Sequence, residues 1–218
     1  MCPLRGLAYG LKPFAGRGRR RDSAAGKEKK MKPLEEMSLE ELWQLFPIVL
    51  TPHRDCWELW FEEEKKRLSA LLPAGKLRWI LPIGSTSVKG IWAKPIVDIL
   101  AEAGEGADLE ELARLAEAAG YREMSRGEGR ISLNKGYTPA GFEERVFHLH
   151  LRRYGDHDEL YFRDYIRAHP EAAKEYEGLK LALWKPFEHN RDGYTSGKGK
   201  MVREMTNQAK KEFLGRYE

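Results

Sequence analysis

At 218 residues, with 41% hydrophobic and 11% aromatic side chains, the chain can bury one sizeable core, and 33% charged residues describe a well-solvated surface. Its two cysteines, Cys2 and Cys56, exclude a disulfide framework and supply no C-x-x-C pair for structural zinc, and no apolar run approaches the roughly 18 residues of a membrane span. The net charge of +4 is uneven: residues 1–30 carry nine Lys or Arg against Asp22 and Glu28, so the remainder is acidic by three charges, unlike a globular nucleic-acid reader with a basic folded face.

Residues 1–30 hold the cluster Arg17, Arg19, Arg20 and Arg21, and Gly6, Gly10, Lys12 and Pro13 interrupt any signal-type apolar segment. Three readings compete for this stretch: a disordered extension, a nucleic-acid-binding arm, or an upstream start with Met31 as the natural first residue. The folded domain is expected over 31–218. The sparing cysteine usage implies a reducing, cytoplasmic compartment.

In chain order, Ser38-Leu-Glu-Glu41 is a capping-box pattern that opens a short helix, and Pro47 closes it. Trp57, Trp60, Phe61, Leu68 and Leu71 fall near helical spacing, which predicts a helix over 55–72 stopped by Pro73 and Gly75. Leu77 to Ile83 reads as a strand, and so does Ile96 to Leu100. Asp108 with Glu111 caps a helix that ends at Gly120. Short strands are predicted over 122–125, 130–133 and 145–152, then helices over 157–168, 170–186 and 194–214. This order of helices, mixed strands and helices is that of an α+β fold with a small sheet.

Ile83-Gly84-Ser85-Thr86-Ser87 at a strand end can approach a phosphate closely with backbone N–H groups and hydroxyls, and Asp98 on the next strand can hold a cation that neutralises it. The competing reading is an ordinary Ser/Thr-rich turn beside a solvent-facing acid. Period two places His148 and His150 on one strand face, able to complete a metal site with Asp98 or to be hydrogen-bonded members of the sheet. Imidazoles favour Zn, Mn, Ni or Fe over Mg. His53, His157 and His189 lack partner spacing and read as surface residues. Arg163, with Asp164 beside it, is either a phosphate clamp or an ion pair joining helix to sheet. Lys135 can contact phosphate from a loop, and Tyr194 with Lys198 can close the same cleft one helical turn apart. Neither a Gly-x-x-x-x-Gly-Lys-Ser/Thr loop nor a Gly-x-Ser-x-Gly elbow occurs, which removes P-loop kinases and α/β-hydrolases, and Cys56 on a Trp-rich helix reads as packing.

Ile83 to Gly90 with Ala93-Lys94-Pro95-Ile96-Val97-Asp98 resembles the signature of the GrpB-like family. So do Lys135-Gly136-Tyr137-Thr138-Pro139, Phe147-His148-Leu149-His150, Phe162-Arg163-Asp164-Tyr165 with His169-Pro170, and Tyr194 with Lys198. These blocks keep their order across 38–214. The resemblance implies a branch of the nucleotidyltransferase superfamily with a palm-like mixed sheet and a helical C-terminal part. It implies metal-assisted transfer of a nucleotidyl group, with Asp98, His148 and His150 as catalytic and metal-binding residues and Mg or Mn as the cation. Gly84, Ser85, Thr86, Lys94, Lys135, Arg163 and Lys198 would bind the nucleotide or phosphorylated small molecule. Relatives resembling DNA polymerase beta carry two carboxylates at alternate strand positions, whereas Asp98 is flanked there by Ile96 and Leu100. That departure keeps a second expectation open, a non-catalytic binder of nucleotides or phosphometabolites on the same fold.

Overall fold

The computed structural model describes residues 31–73 and 75–218, so the readings of residues 1–30 lie outside the described residues. Two helices come first, α1 (Leu39–Leu45) and α2 (Cys56–Leu71), then strands β1 (Leu77–Ile83) and β2 (Val97–Ala103) and helix α3 (Leu109–Ala118). Strands β3 (Arg122–Gly127), β4 (Arg130–Thr138) and β5 (Gly141–Arg152) precede helices α4 (Asp158–Ala168), α5 (Pro170–Trp184) and α6 (Arg191–Glu212). One sheet runs β1-β2-β5-β4-β3; β2 and β5 are parallel and every other pair is antiparallel. The fold is α+β with a mixed sheet.

Local chemistry sets the element ends. The capping box forms as read: Ser38 Oγ accepts from the Glu41 N–H at 3.2 Å and the Glu41 carboxylate accepts from the Ser38 N–H at 2.7 Å. Asp108 caps α3 by accepting from the N–H of Glu110. Asn190 Oδ1 accepts from the Gly193 N–H, so α6 begins at Arg191 instead of residue 194. Strands β4 and β5 extend beyond 130–133 and 145–152, meeting in a hairpin at Thr138 and Gly141. Polar residues there, Asn134, Lys135 and Glu143 to Arg145, hide the strand period from a hydrophobicity reading.

Alternation along the central strands sends two residue sets to opposite faces. Val97, Ile99, Ala101, Leu133, Phe147, Leu149 and Leu151 meet Trp57, Trp60, Phe61 and Leu68 of α2 and Leu112 and Ala116 of α3. On the other face Ile83 and Leu100 pack against Leu160 and Tyr161 of α4, Ala209 of α6 and Tyr217. The loop after β1 is pinned to the three C-terminal helices by Val88 and Ile91 against Phe162, Ile166, Tyr176 and Met205. His157 is not a surface residue: it is buried, with Nδ1 3.2 Å from Oε2 of the fully buried Glu102, which also accepts from the Gly155 N–H. Among the described residues no helix is long and apolar enough to cross a membrane.

Candidate functional site

Strand β1 ends with Ile83 opposite Asp98 on β2. Gly84 then turns the chain at φ 67° and ψ −174°, a region open almost only to glycine, and a Cβ there would fall 2.4 Å from Asp98 Oδ2. Residues 85–87 form a single 3₁₀ turn, with Ser87 Oγ donating to the Gly84 carbonyl and Arg167 donating twice to the Ser87 carbonyl. In such a turn successive side chains point about 120° apart. Ser85 therefore faces α5, where its Oγ accepts from Lys180 Nζ at 3.0 Å. Thr86 turns to the α2 side and lines a separate cavity of about 120 Å³ with Trp57 and Val97. The expected Gly84-Ser85-Thr86 cradle thus divides: Gly84 borders Asp98, Ser85 meets Lys180, and Thr86 lines the cavity beside α2.

Asp98 stands opposite His148 of β5 in the parallel register, and His150 lies two residues further on the same face. Asp98 Oδ1 is 3.2 Å from His148 Nδ1 and 3.4 Å from His150 Nε2, and the ligand atoms of the three side chains lie within 4.8 Å of one another. Burial opposes ionisation of Asp98, but hydrogen bonds and charge from the two imidazoles outweigh it and hold the carboxyl far below its ordinary value. Burial depresses His148 against the pull of Asp98, so its neutral form is favoured.

The donor set fits the divalent cation that the sequence resemblance implies. With a cation in place, the Tyr137 hydroxyl, 2.9 Å from His148 Nε2, can accept a hydrogen bond from Nε2–H and leave the Nδ1 lone pair for the cation beside Asp98. Ser132 Oγ, 3.4 Å from His150 Nδ1, can do the same for His150 Nε2, although Arg152 Nη2 at 3.2 Å competes by donating to that Nδ1. Asp98 and His148 are therefore the better prepared pair.

Cations gather on one side of this carboxylate, and Lys94 and Lys198 both feel its attraction. Lys180 is 2% exposed and donates to Ser85 Oγ and to the Trp92 carbonyl; burial lowers its pKa to about 8. Lys198 Nζ lies 4.4 Å above the Tyr194 ring, and Lys94 Nζ lies 5.6 Å from the same ring. Burial, and then the neighbouring Lys94, push Lys198 down to about 7 against the attraction of Asp98. Burial lowers Lys94 as well, and Arg191 at the start of α6 adds to the repulsion on both lysines. Among the described residues Lys94, Lys198 and Arg191 make no ion pair with an acid. The Tyr194 hydroxyl beside them is buried without a hydrogen-bond partner among the described residues.

A family model described as GrpB protein matches residues 47–208, a span that takes in the whole cluster. The chain belongs to the GrpB family. It is 34% identical over 168 residues to the glutamate-rich protein GrpB of Alkalihalophilus pseudofirmus, covering 74% of this chain and 95% of that protein. It is 32% identical over 184 residues to the UPF0157 protein YqkA of Bacillus subtilis, covering 82% of this chain and 52%, about half, of that relative. The crystal structure of conserved protein GrpB from Enterococcus faecalis superposes with a TM-score of 0.65 at 29% identity, over 76% of this chain and 99% of that one.

Two expected phosphate ligands lie elsewhere in this GrpB protein. Lys135 pairs with Phe147, one residue out of phase with His148, and so projects to the opposite face, where Nζ meets Glu64 of α2 at 2.8 Å. Arg163 is buried and spends its donors on Asp164, the Pro82 carbonyl and the Tyr217 hydroxyl, fastening α4 to the end of β1. Lys180, Arg191 and Tyr137 escaped sequence reasoning as site residues. Tyr137 sits inside a block that carried the family resemblance, but the two cations had no local signal.

Proposed function

We propose that this GrpB protein binds the phosphates of a nucleotide or other phosphorylated small molecule beside Asp98 and, with a nucleoside triphosphate as that ligand, transfers its nucleotidyl group to an acceptor with pyrophosphate as the leaving group. The observation that carries this reading is the charge imbalance: Lys94 and Lys198, with Arg191 beside them, share the single ionised carboxylate of Asp98, while the neighbouring Lys180 is offset by Glu177. Such a surplus raises the energy of the empty protein and is relieved by a multiply charged anion. Lys94, Lys198 and Arg191 would hold the phosphate oxygens, and Ser85 would offer its hydroxyl in the orientation that Lys180 enforces. Asp98, His148 and His150 would hold a divalent cation, which when bound neutralises phosphate charge. Catalysis of this kind depends mainly on positioning and on charges already in place.

A second reading, a non-catalytic binder, is favoured by the flanks of Asp98. The flanking alternate positions hold Ile96 and Leu100, both buried and apolar, so no second carboxylate stands two residues from Asp98 on either side. The experiment is a melting series with each ribonucleoside triphosphate, with and without Mn²⁺, followed by turnover of the labelled nucleotide that binds. At about 100-fold excess over Kd the stabilisation is about 2.7 kcal/mol, a rise of roughly 5–10 °C. That rise should need Mn²⁺ and should vanish in His148→Gln/His150→Gln. A rise without turnover in the presence of candidate acceptors favours the binder, and no rise with any triphosphate sinks both readings.

A further inference from the structure

A cavity of about 680 Å³ opens beside the cluster, within the range of about 300–1,000 Å³ typical of small-molecule sites. Helix α1 forms one wall. It buries no residue, yet Leu39, Leu42 and Trp43 give it an apolar side that faces this space. Phe46, Tyr137 and Phe142 form a second wall as a triangle of rings with centroids 4.7, 4.9 and 5.0 Å apart. Lys94 and Arg191 line the cavity as well, so the charges of the phosphate site reach the chamber that holds the aromatic wall; Glu35, Glu117, Arg122 and Glu123 line it too. Tyr137 joins the two through its hydrogen bond to His148.

One polar group in this lining lacks a partner. Asn134 stands opposite His148 in the β4–β5 register, and its buried Oδ1 has no hydrogen-bond partner among the described residues. An unsatisfied buried acceptor of this kind destabilises the empty protein and is relieved by a donor from a ligand. A primary amide offers a donor and an acceptor side by side, the pattern presented by the edges of nucleobases. Aromatic walls, an unpaired amide and cations thus converge on one ligand shape: a flat heterocycle with a hydrogen-bonding edge, tethered to phosphate.

We infer that this cavity is the nucleobase pocket, so that the ligand of the Asp98 cluster is a nucleotide and not a phosphorylated sugar or a bare polyphosphate. This rests on the phosphate-binding reading above. The test is calorimetric titration of the full chain with each ribonucleoside triphosphate, with tripolyphosphate and with the uncharged nucleosides. The wild type is compared with Phe142→Ala, at a ring that is 40% exposed, and with Asn134→Leu. At least one nucleoside triphosphate should bind about tenfold more tightly than tripolyphosphate, and each substitution should remove about that factor while leaving tripolyphosphate unchanged. Equal binding of nucleotides and tripolyphosphate, indifferent to both substitutions, overturns the pocket and leaves the phosphate site standing. Nucleoside binding that is lost in Phe142→Ala, with no tripolyphosphate binding, upholds the pocket while the phosphate site fails. No binding by any of the three classes overturns both.

Discussion

Asp98 packs against the bare α-carbon of Gly84: a methyl group on residue 84 would sit 2.4 Å from Asp98 Oδ2, closer than any non-bonded contact allows. The same glycine holds φ 67° with ψ −174°, so conformation and space both demand it. The carboxylate can face His148 and His150 because nothing projects from the turn that ends β1.

Gly84→Ala should therefore destabilise the fold and displace Asp98. The backbone conformation alone costs about 1–3 kcal/mol, to be read as a lower midpoint in urea unfolding. Gly90→Ala is the comparison, since Gly90 also has a positive φ of 79° but open space around its α-carbon. Ligand binding should be lost in Gly84→Ala and kept in Gly90→Ala. Equal behaviour of the two variants would show that the contact with Asp98 does not matter.

Lys198 links binding to pH. Its pKa of about 7 in the folded chain lies below the roughly 10.4 of an unfolded lysine. Below pH 7 it is charged in both states and its burial cost is at its largest. Between about 7 and 10.4 the unfolded chain holds a proton that the folded chain has released, so its contribution to stability grows as pH rises through that window. Anion binding runs the other way, because a phosphate favours the charged amine. Affinity for tripolyphosphate should fall as pH rises above about 7, with proton uptake visible as a buffer-dependent enthalpy, and Lys198→Met should lose that uptake. An affinity flat across the window would mean that Lys198 does not meet the anion.

Lys135→Met separates packing from function. It removes the nearer ion-pair partner of Glu64, which is 4% exposed, accepts from the Tyr121 hydroxyl and also meets Arg67 at 3.9 Å. Leaving that acceptor short should cost about 1–3 kcal/mol of stability while the affinity for phosphate ligands stays at the wild-type level. Adding Glu64→Gln should recover part of the loss. A fall in ligand affinity without a fall in stability would return Lys135 to the site.

Local pattern was enough for much of this. Ser38 with Glu41, the glycine at 84, Pro170 at a helix start and the apolar run Ile96 to Leu100 each report a backbone conformation that neighbouring residues determine. Period two likewise put His148 and His150 on one face with no knowledge of the partner strand. Register and packing decided the rest. Lys135 and Asn134 are adjacent in sequence, yet the pairing of β4 with β5 sends the lysine to Glu64 on α2 and sets the asparagine opposite His148. Arg163 and Lys180 are both cations on amphipathic helices; the docking of α4 gives the first to the Pro82 carbonyl, and that of α5 gives the second to Ser85. A sequence pattern can name the face a side chain leaves from. Which groups meet it there depends on contacts between segments 50 to 100 residues apart, such as Asp98 with His148 (|i−j| = 50) and Ser85 with Lys180 (|i−j| = 95), and those exist only once the sheet order and helix packing are in place.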